Sequence, residues 1–286
     1  MGILVSVVLP LALAFIMFSL GVGLTIADFT RFLKRPTAFV VGALNQVILL
    51  PIVTFIVILI FGIKGELAVG LMILSACPGG VTSNMVAKIA NADVALSVSL
   101  TAVISLLSAI TVPVILVFAL GRFMAGSGVD VDITKTAITM FAITVVPVAI
   151  GVGLRAMFPG GMARAERAIG LVALVLFVVI VLAALAANWG LFVENLAALG
   201  PVLLVLLILL TAIGFVVPRL LGRPVMEAKT VSIETGVQNA TLGIAVAGII
   251  AGSVDGFSAF ALPSAVYGIL MYLILVPVIF IYRRMD

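Results

Sequence analysis

Apolar stretches of about 20 residues or more, each long enough as a helix to cross roughly 30 Å of hydrocarbon, follow one another along the whole chain with short polar links between them. Nine can be delimited, approximately Leu4 to Thr25, Thr37 to Phe61, Leu67 to Ala90, Val94 to Leu120, Ile133 to Phe158, Ala168 to Asn188, Leu196 to Val217, Val225 to Ala251 and Phe257 to Tyr282. With 65% hydrophobic and 9% charged residues, the chain has too little polar surface to coat a water-soluble globule of this size. Lipid offers no partner to backbone N–H and C=O groups, so each stretch must satisfy its own as a helix. The expectation is an all-α polytopic membrane protein of nine transmembrane helices, residues 1–286 forming one unit with no soluble domain, long linker or low-complexity segment.

The net charge of +4 invites a nucleic-acid reading, but the basic residues sort by side of the bilayer instead. With the amino terminus outside, the inner loops and ends hold Arg31, Lys34, Arg35, Lys88, Arg155, Arg164, Arg167, Arg219, Arg223, Lys229, Arg283 and Arg284. Only Lys64, Arg122 and Lys135 remain outside, a strong positive-inside bias that also puts the carboxyl terminus inside. No nucleic-acid partner is expected; the partner is the lipid bilayer. The first stretch has neither a positive start nor a small-residue cleavage pattern, so it reads as a spanning helix rather than a secretory signal. One cysteine, Cys77, excludes an internal disulfide, and the absence of histidine removes the commonest general base and metal ligand.

The third and eighth stretches are interrupted midway. The third reads Ser75-Ala76-Cys77-Pro78-Gly79-Gly80-Val81-Thr82-Ser83-Asn84, where Pro78 removes a donor and two glycines weaken the helix. The eighth reads Glu234-Thr235-Gly236-Val237-Gln238-Asn239-Ala240-Thr241. If stretches 1 to 4 and 6 to 9 form two units, the intervening fifth makes the second unit start on the opposite face, so the units are inverted repeats. Interrupted segments at matching positions of inverted halves are a sequence pointer to a transporter's binding site.

Glu234 carries the chemistry. An ionised carboxylate at bilayer depth costs about 2.5 to 3.5 kcal/mol on insertion scales, so it faces a partner or a wet cavity. The nearest basic residue before it in sequence is Lys229 and the nearest after it Arg283, which leaves a bound cation as the missing partner. Carbonyls freed by the breaks, with the side-chain oxygens of Ser83, Asn84, Glu234 and Gln238, suit a hard cation. The amides freed after Gly80 and around Asn239 suit an anionic group. Ser97 and Thr101, spaced i, i+4, share a helix face and can turn toward Ser83 and Asn84. Asn45-Gln46 sits mid-way in the second stretch, followed by Pro51, and a glutamine at that depth also needs a partner. Asp28 reads as a cap or solvating group of the inner loop, Gly21 and Gly23 as points of close helix contact, and Cys77 as a small packing residue.

These residues, taken together, resemble the bile acid:sodium symporter family, including its bacterial members. The marks are Pro78-Gly79-Gly80 leading to Ser83-Asn84, Ala95-Leu96-Ser97 with Thr101, and Glu234-x-Gly236-x-Gln238-Asn239; Gly21-Val22-Gly23-Leu24-Thr25 followed by Asp28-Phe29 adds to them. The resemblance implies a core domain with two crossed discontinuous helices (about 37–120 and 196–282) and a panel domain (about 4–25, 133–158 and 168–188). It also implies an inner (plasma) membrane location, and two sodium ions driving uptake of a small organic anion by alternating access. Carried over by position, one sodium site uses Ser83, Asn84, Ser97, Thr101 and Glu234. The second uses Gln46, Glu234, Gln238 and the backbone oxygens of Thr235 and Val237. Val81, Thr82 and Asn239 fall at substrate-binding positions. Two departures stand out: the chain lacks the extra amino-terminal helix of some bacterial relatives, and Val81 replaces the hydroxyl residue expected in those that bind a small hydroxy acid.

Other classes stay open on the residues alone. Metalloid efflux of the arsenical-resistance type also places a cysteine near a helix break, which Cys77 does. An intramembrane enzyme needs an aspartate pair, a His-Glu-x-x-His site or a nucleophile with a base, and the chain has no histidine. A passive channel would show flux that neither saturates nor moves substrate uphill.

Overall fold

The computed structural model describes residues 8–30, 36–125, 133–187, 189–251 and 258–285. The beginnings of the first and last expected spans, the Arg31 to Arg35 loop and Asn188 lie outside them. Among the described residues every regular element is helical. In chain order these are α1 (Leu9–Val22), α2 (Ile26–Thr30), α3 (Pro36–Leu44), a π-helical turn (Asn45–Leu49), α4 (Leu50–Phe61), α5 (Gly65–Ala76), α6 (Val81–Ile89) and α7 (Val94–Phe123). They continue as α8 (Ile133–Met157), α9 (Pro159–Ala187), α10 (Trp189–Leu220), α11 (Val225–Gly236), α12 (Ala240–Ala251), a 3₁₀ turn (Ala259–Ala261) and α13 (Leu262–Tyr282).

Seven helical runs among these residues are long and apolar enough to cross a bilayer, making this a multi-pass membrane protein. Two shorter apolar helices, Pro10–Val22 and Gly65–Ala76, lie where the first and third spans are expected. The sixth and seventh spans are longer than the apolar pattern indicates: α9 starts at Pro159, not Ala168, and α10 at Trp189, not Leu196. Hydropathy marks where lipid begins, whereas a helix ends where its hydrogen bonds end, so the charged first turns of α9 project beyond the apolar part. Arg155 on α8 pairs with Glu166 there at 3.1 Å.

The helix ends follow local chemistry. Gly62, with φ of 66°, closes α4 in the left-handed conformation that suits glycine. Asp93 starts α7 by accepting from Leu96 N at 3.1 Å. Asp28, buried, accepts from both the backbone N–H and the hydroxyl of Thr25 at 2.8 and 2.7 Å. It therefore caps α2, as its position after the first span indicates.

Packing sets where each run lies. α1 packs along α8 and α9, and it meets α8 through glycine: a Cβ at Gly21 would strike the Val148 backbone, and one at Gly151 would lie 2.5 Å from the Phe18 carbonyl. Gly23, by contrast, abuts only its own turn and Glu166. α10 packs on α11, α5 on α7, and α12 on α13. The run from Val225 to Ile250 is the most enclosed: 78% of its apolar window is buried in protein, against 17% for Pro159–Ala183. That burial is what permits its interruption, because non-helical backbone at membrane depth survives only away from lipid.

Candidate functional site

Pro78 lacks an N–H, and α5 stops at Ala76, with Cys77 already extended (φ −70°, ψ 142°). Gly80 is extended too, and α6 begins immediately after it. α11 stops at Gly236, Val237 is extended (φ −98°, ψ 116°), and Asn239 restarts the helix by accepting from Leu242 N at 3.0 Å. The two breaks touch. The backbone N–H of Asn239 donates to the carbonyl of Pro78 at 2.8 Å, so this amide, expected from the sequence to face an anion, is engaged by the other break.

Glu234, 1% exposed, lies against the first break. One carboxylate oxygen accepts from Ser97 Oγ at 2.5 Å and the other from Thr101 Oγ1 at 2.9 Å. Asn84 Oδ1 is 2.8 Å from Ser97 Oγ and 3.4 Å from Thr101 Oγ1, and Ser83 Oγ is 3.3 Å from Thr101 Oγ1. Ser83 in turn donates to the Gly80 carbonyl at 2.7 Å. Each hydroxyl has a single proton, and that of Ser83 is committed to Gly80. Ser97 and Thr101 therefore have two protons for three acceptors, the two oxygens of Glu234 and the amide oxygen of Asn84. A pocket richer in lone pairs than in protons, holding a carboxylate, suits a cation. The nearest lysine in sequence does not neutralise it: buried Lys229 donates to the Met285 carbonyl at 2.5 Å.

Glycine makes the approach possible. A Cβ on Gly79 would lie 2.6 Å from Glu234 Oε2 and 3.1 Å from Ser83 Oγ. Any side chain there would displace the carboxylate from the first break.

A second cluster forms at the carboxyl end of α11, whose last carbonyls have lost their helical donors. The Ile233 carbonyl keeps its helical donor, Val237 N, at 2.8 Å, whereas Gln46 Nε2 takes that of Glu234 at 3.3 Å, Gln238 Nε2 that of Thr235 at 2.8 Å, and the Tyr267 hydroxyl that of Gly236 at 2.8 Å. Both glutamines are buried, and neither Oε1 has a hydrogen-bond partner among the described residues. A buried polar atom left so costs about 1 to 3 kcal/mol. Two such oxygens beside a row of carbonyls are the donor set a hard cation takes. Gln46 reaches this place from the π turn, where Leu50 N bonds back to the Asn45 carbonyl. Pro51, next in line, supplies no N–H to continue the α pattern, and such turns are frequent at functional positions.

Of the other sequence-predicted residues, Thr82 is half-buried in the first turn of α6. Val81 opens that turn, and its side chain lies outside the described residues. Cys77 is fully buried with its thiol donating to the Ile73 carbonyl at 3.3 Å, a packing role. Among the described residues no three His, Cys, Asp or Glu side chains cluster, so the donors are hydroxyl, amide, carbonyl and carboxylate oxygens around one acidic residue. Sequence reasoning missed Tyr267, the π turn, and the role of Gly79. Only Pro51 carried a signal for any of these; Tyr267 looks like any tyrosine in an apolar helix.

The sequence pattern of the family described as "Sodium Bile acid symporter family" matches residues 10–195, well over half of the chain. The chain belongs to the sodium bile acid symporter family. That match contains Gln46 and the first break with Ser83, Asn84, Ser97 and Thr101, and ends before Glu234. Curated relatives reach further. "Uncharacterized sodium-dependent transporter YocS" of Bacillus subtilis (strain 168) is 29% identical over 247 residues, 85% of this chain and 74% of its own length. The "Ileal sodium/bile acid cotransporter" of Cricetulus griseus is 31% identical over 246 residues, 85% and 69% of the two chains. "Probable sodium/metabolite cotransporter BASS2, chloroplastic" of Oryza sativa subsp. japonica is 31% identical over 239 residues, 82% of this chain and 55% of that protein. This is a family of sodium-dependent transporters, not of enzymes, and the intramembrane-enzyme alternative is set aside.

Proposed function

We propose that the protein is a sodium-coupled symporter that imports an organic anion, bile-acid-like or a small carboxylate, by alternating access. Of nine transmembrane helices, the first four and the last four form two inverted repeats, with α3 to α7 and α10 to α13 as the core and α1, α8 and α9 as the panel. The amino terminus faces outward and the carboxyl terminus inward across the inner (plasma) membrane, as the distribution of basic residues favours.

One observation carries this reading: Glu234, on the second interrupted helix, has its carboxylate among the hydroxyls and amide beside the first. One sodium ion binds Ser83, Asn84, Ser97, Thr101 and Glu234. A second binds Gln46, Glu234, Gln238 and the carbonyls of Thr235 and Val237. The ions neutralise Glu234 and hold the two breaks in one geometry. The anion docks beside them near Val81, Thr82 and Asn239, drawn by the sodium charges and by the N-terminal end of α6. Coupling then follows from thermodynamics, since ligands that stabilise the same conformation raise one another's affinity.

Uptake of a labelled organic anion into proteoliposomes under an inward sodium gradient tests the reading. Saturable, sodium-dependent accumulation, abolished by Glu234→Ala and by Asn84→Ala, is the expected result. Equal uptake in sodium-free buffer overturns it.

A further inference from the structure

The last three carbonyls of α11 are held in two different ways. Those of Glu234 and Thr235 accept from the amides of Gln46 and Gln238. Each of those amides has an oxygen as well as a nitrogen, so a half-turn of the side-chain amide replaces a donor by a cation ligand. The Gly236 carbonyl accepts from Tyr267, whose phenol has one proton and is fully buried. Its bond to Gly236 has no such alternative built into the side chain.

The surroundings enforce that bond. Gly236 is wedged against α10: a Cβ on it would lie 2.7 Å from Thr211 Oγ1. α13 is drawn onto the break from the other side, where a Cβ on Gly268, next to Tyr267, would lie 2.8 Å from the Cβ of Ala240. The Gly236 peptide is therefore clamped between Thr211 and Tyr267, while the carbonyls of Thr235 and Val237 lie on either side of it in the chain. A glycine peptide left unclamped is the freest in the backbone, and any rotation of it would re-aim both neighbouring carbonyls.

We propose that Tyr267 is a positioning residue for sodium: its hydroxyl pins the Gly236 peptide, withholds that carbonyl from the ion and fixes the aim of the Thr235 and Val237 carbonyls that bind it. This rests on the assignment of the second sodium site above. It adds a residue outside the coordination sphere that sets sodium affinity without touching the ion.

The test is a sodium titration of purified full-length protein, read as thermal stabilisation with choline replacing sodium at constant ionic strength. Tyr267→Phe should raise the half-saturating sodium concentration about three- to tenfold, the equivalent of one neutral hydrogen bond. Full stabilisation should be recovered at high sodium. Thr144→Val serves as the control, because that buried hydroxyl bonds the Met140 carbonyl of its own helix, α8, and has no hydrogen bond to α11; it should leave the midpoint unchanged. A fluorinated tyrosine at 267, a stronger donor of nearly the same shape, should hold the midpoint at or below the wild-type value, which keeps the test decisive if the phenylalanine variant does not fold. A wild-type response to sodium with an unchanged or lower midpoint in Tyr267→Phe, an equal rise in Thr144→Val, or a rise with the fluorinated residue overturns the role of Tyr267 alone. A wild-type protein that sodium does not stabilise overturns the sodium site itself, and this inference with it.

Discussion

Asn239 donates its backbone N–H to the carbonyl of Pro78, so the two interrupted helices are joined at their breaks by the backbone itself. A bond of that kind survives most substitutions at either residue, because no side chain takes part. It fixes the distance between the two oxygen clusters, and anything that moves one break must move the other or break the bond.

Gly79→Ala introduces a methyl carbon 2.6 Å from Glu234 Oε2. The fit cannot be relieved by a flexible side-chain end alone, because the carboxylate is held by Ser97 and Thr101. Overpacking of this size costs about 1 to 3 kcal/mol. Sodium affinity should fall by about tenfold or more, measured by titration of uptake rate against sodium; wild-type affinity would show that the carboxylate does not need to lie against the break.

Gln46→Leu removes a buried amide oxygen that has no partner together with a nitrogen that has a long bond of 3.3 Å. These two losses offset each other, so thermal stability in choline should change by less than about 1 kcal/mol. The stabilisation brought by sodium should nevertheless drop markedly, and the sodium dependence of uptake should become less steep. Unaltered steepness would remove Gln46 from the ligand set.

Thr101→Val keeps the shape and deletes the hydroxyl that donates to Glu234 at 2.9 Å. A hydrogen bond to a charged group contributes about 1.5 to 3 kcal/mol, so half-saturating sodium should rise roughly tenfold or more, with Thr101→Ser close to wild type. Wild-type behaviour of Thr101→Val with impairment in Thr101→Ser would mean that the methyl group, not the hydroxyl, is what matters at this position.

Cys77→Ser should leave sodium-driven uptake intact, since the hydroxyl can take over the bond to the Ile73 carbonyl. Loss of transport in this variant, with arsenite efflux present in the wild type and absent from it, would instead support a metalloid carrier.

Much of the site was legible before any coordinates. Pro78 with two glycines announces a break, and a carboxylate amid amides at bilayer depth announces a ligand. The i, i+4 spacing of Ser97 and Thr101 does place both on Glu234, from different turns of α7. The helix bounds were less legible: α9 starts well before its apolar stretch because the turns carrying Arg164, Glu166 and Arg167 remain helical, and α10 starts ahead of its own at Trp189. The π turn at Asn45–Leu49 was hidden because its cause, a proline beyond it, equally produces a plain kink. Tyr267 gave no sign, since a donor to a carbonyl 31 residues away differs from a packing tyrosine only by where its hydroxyl ends.

Composition and pattern by themselves determined that this chain crosses a membrane as helices, that two of those helices are interrupted, and that Glu234 needs a partner. Each is a local matter of transfer free energy or backbone hydrogen bonding, written in a few consecutive residues. Only the tertiary structure decided that the two breaks meet, that Gly79 admits the carboxylate, and which donors hold the end of α11. Those outcomes depend on contacts between segments from 31 to 188 residues apart, or on the absence of a single Cβ at a crossing, and no short window along the chain contains both sides of such a contact.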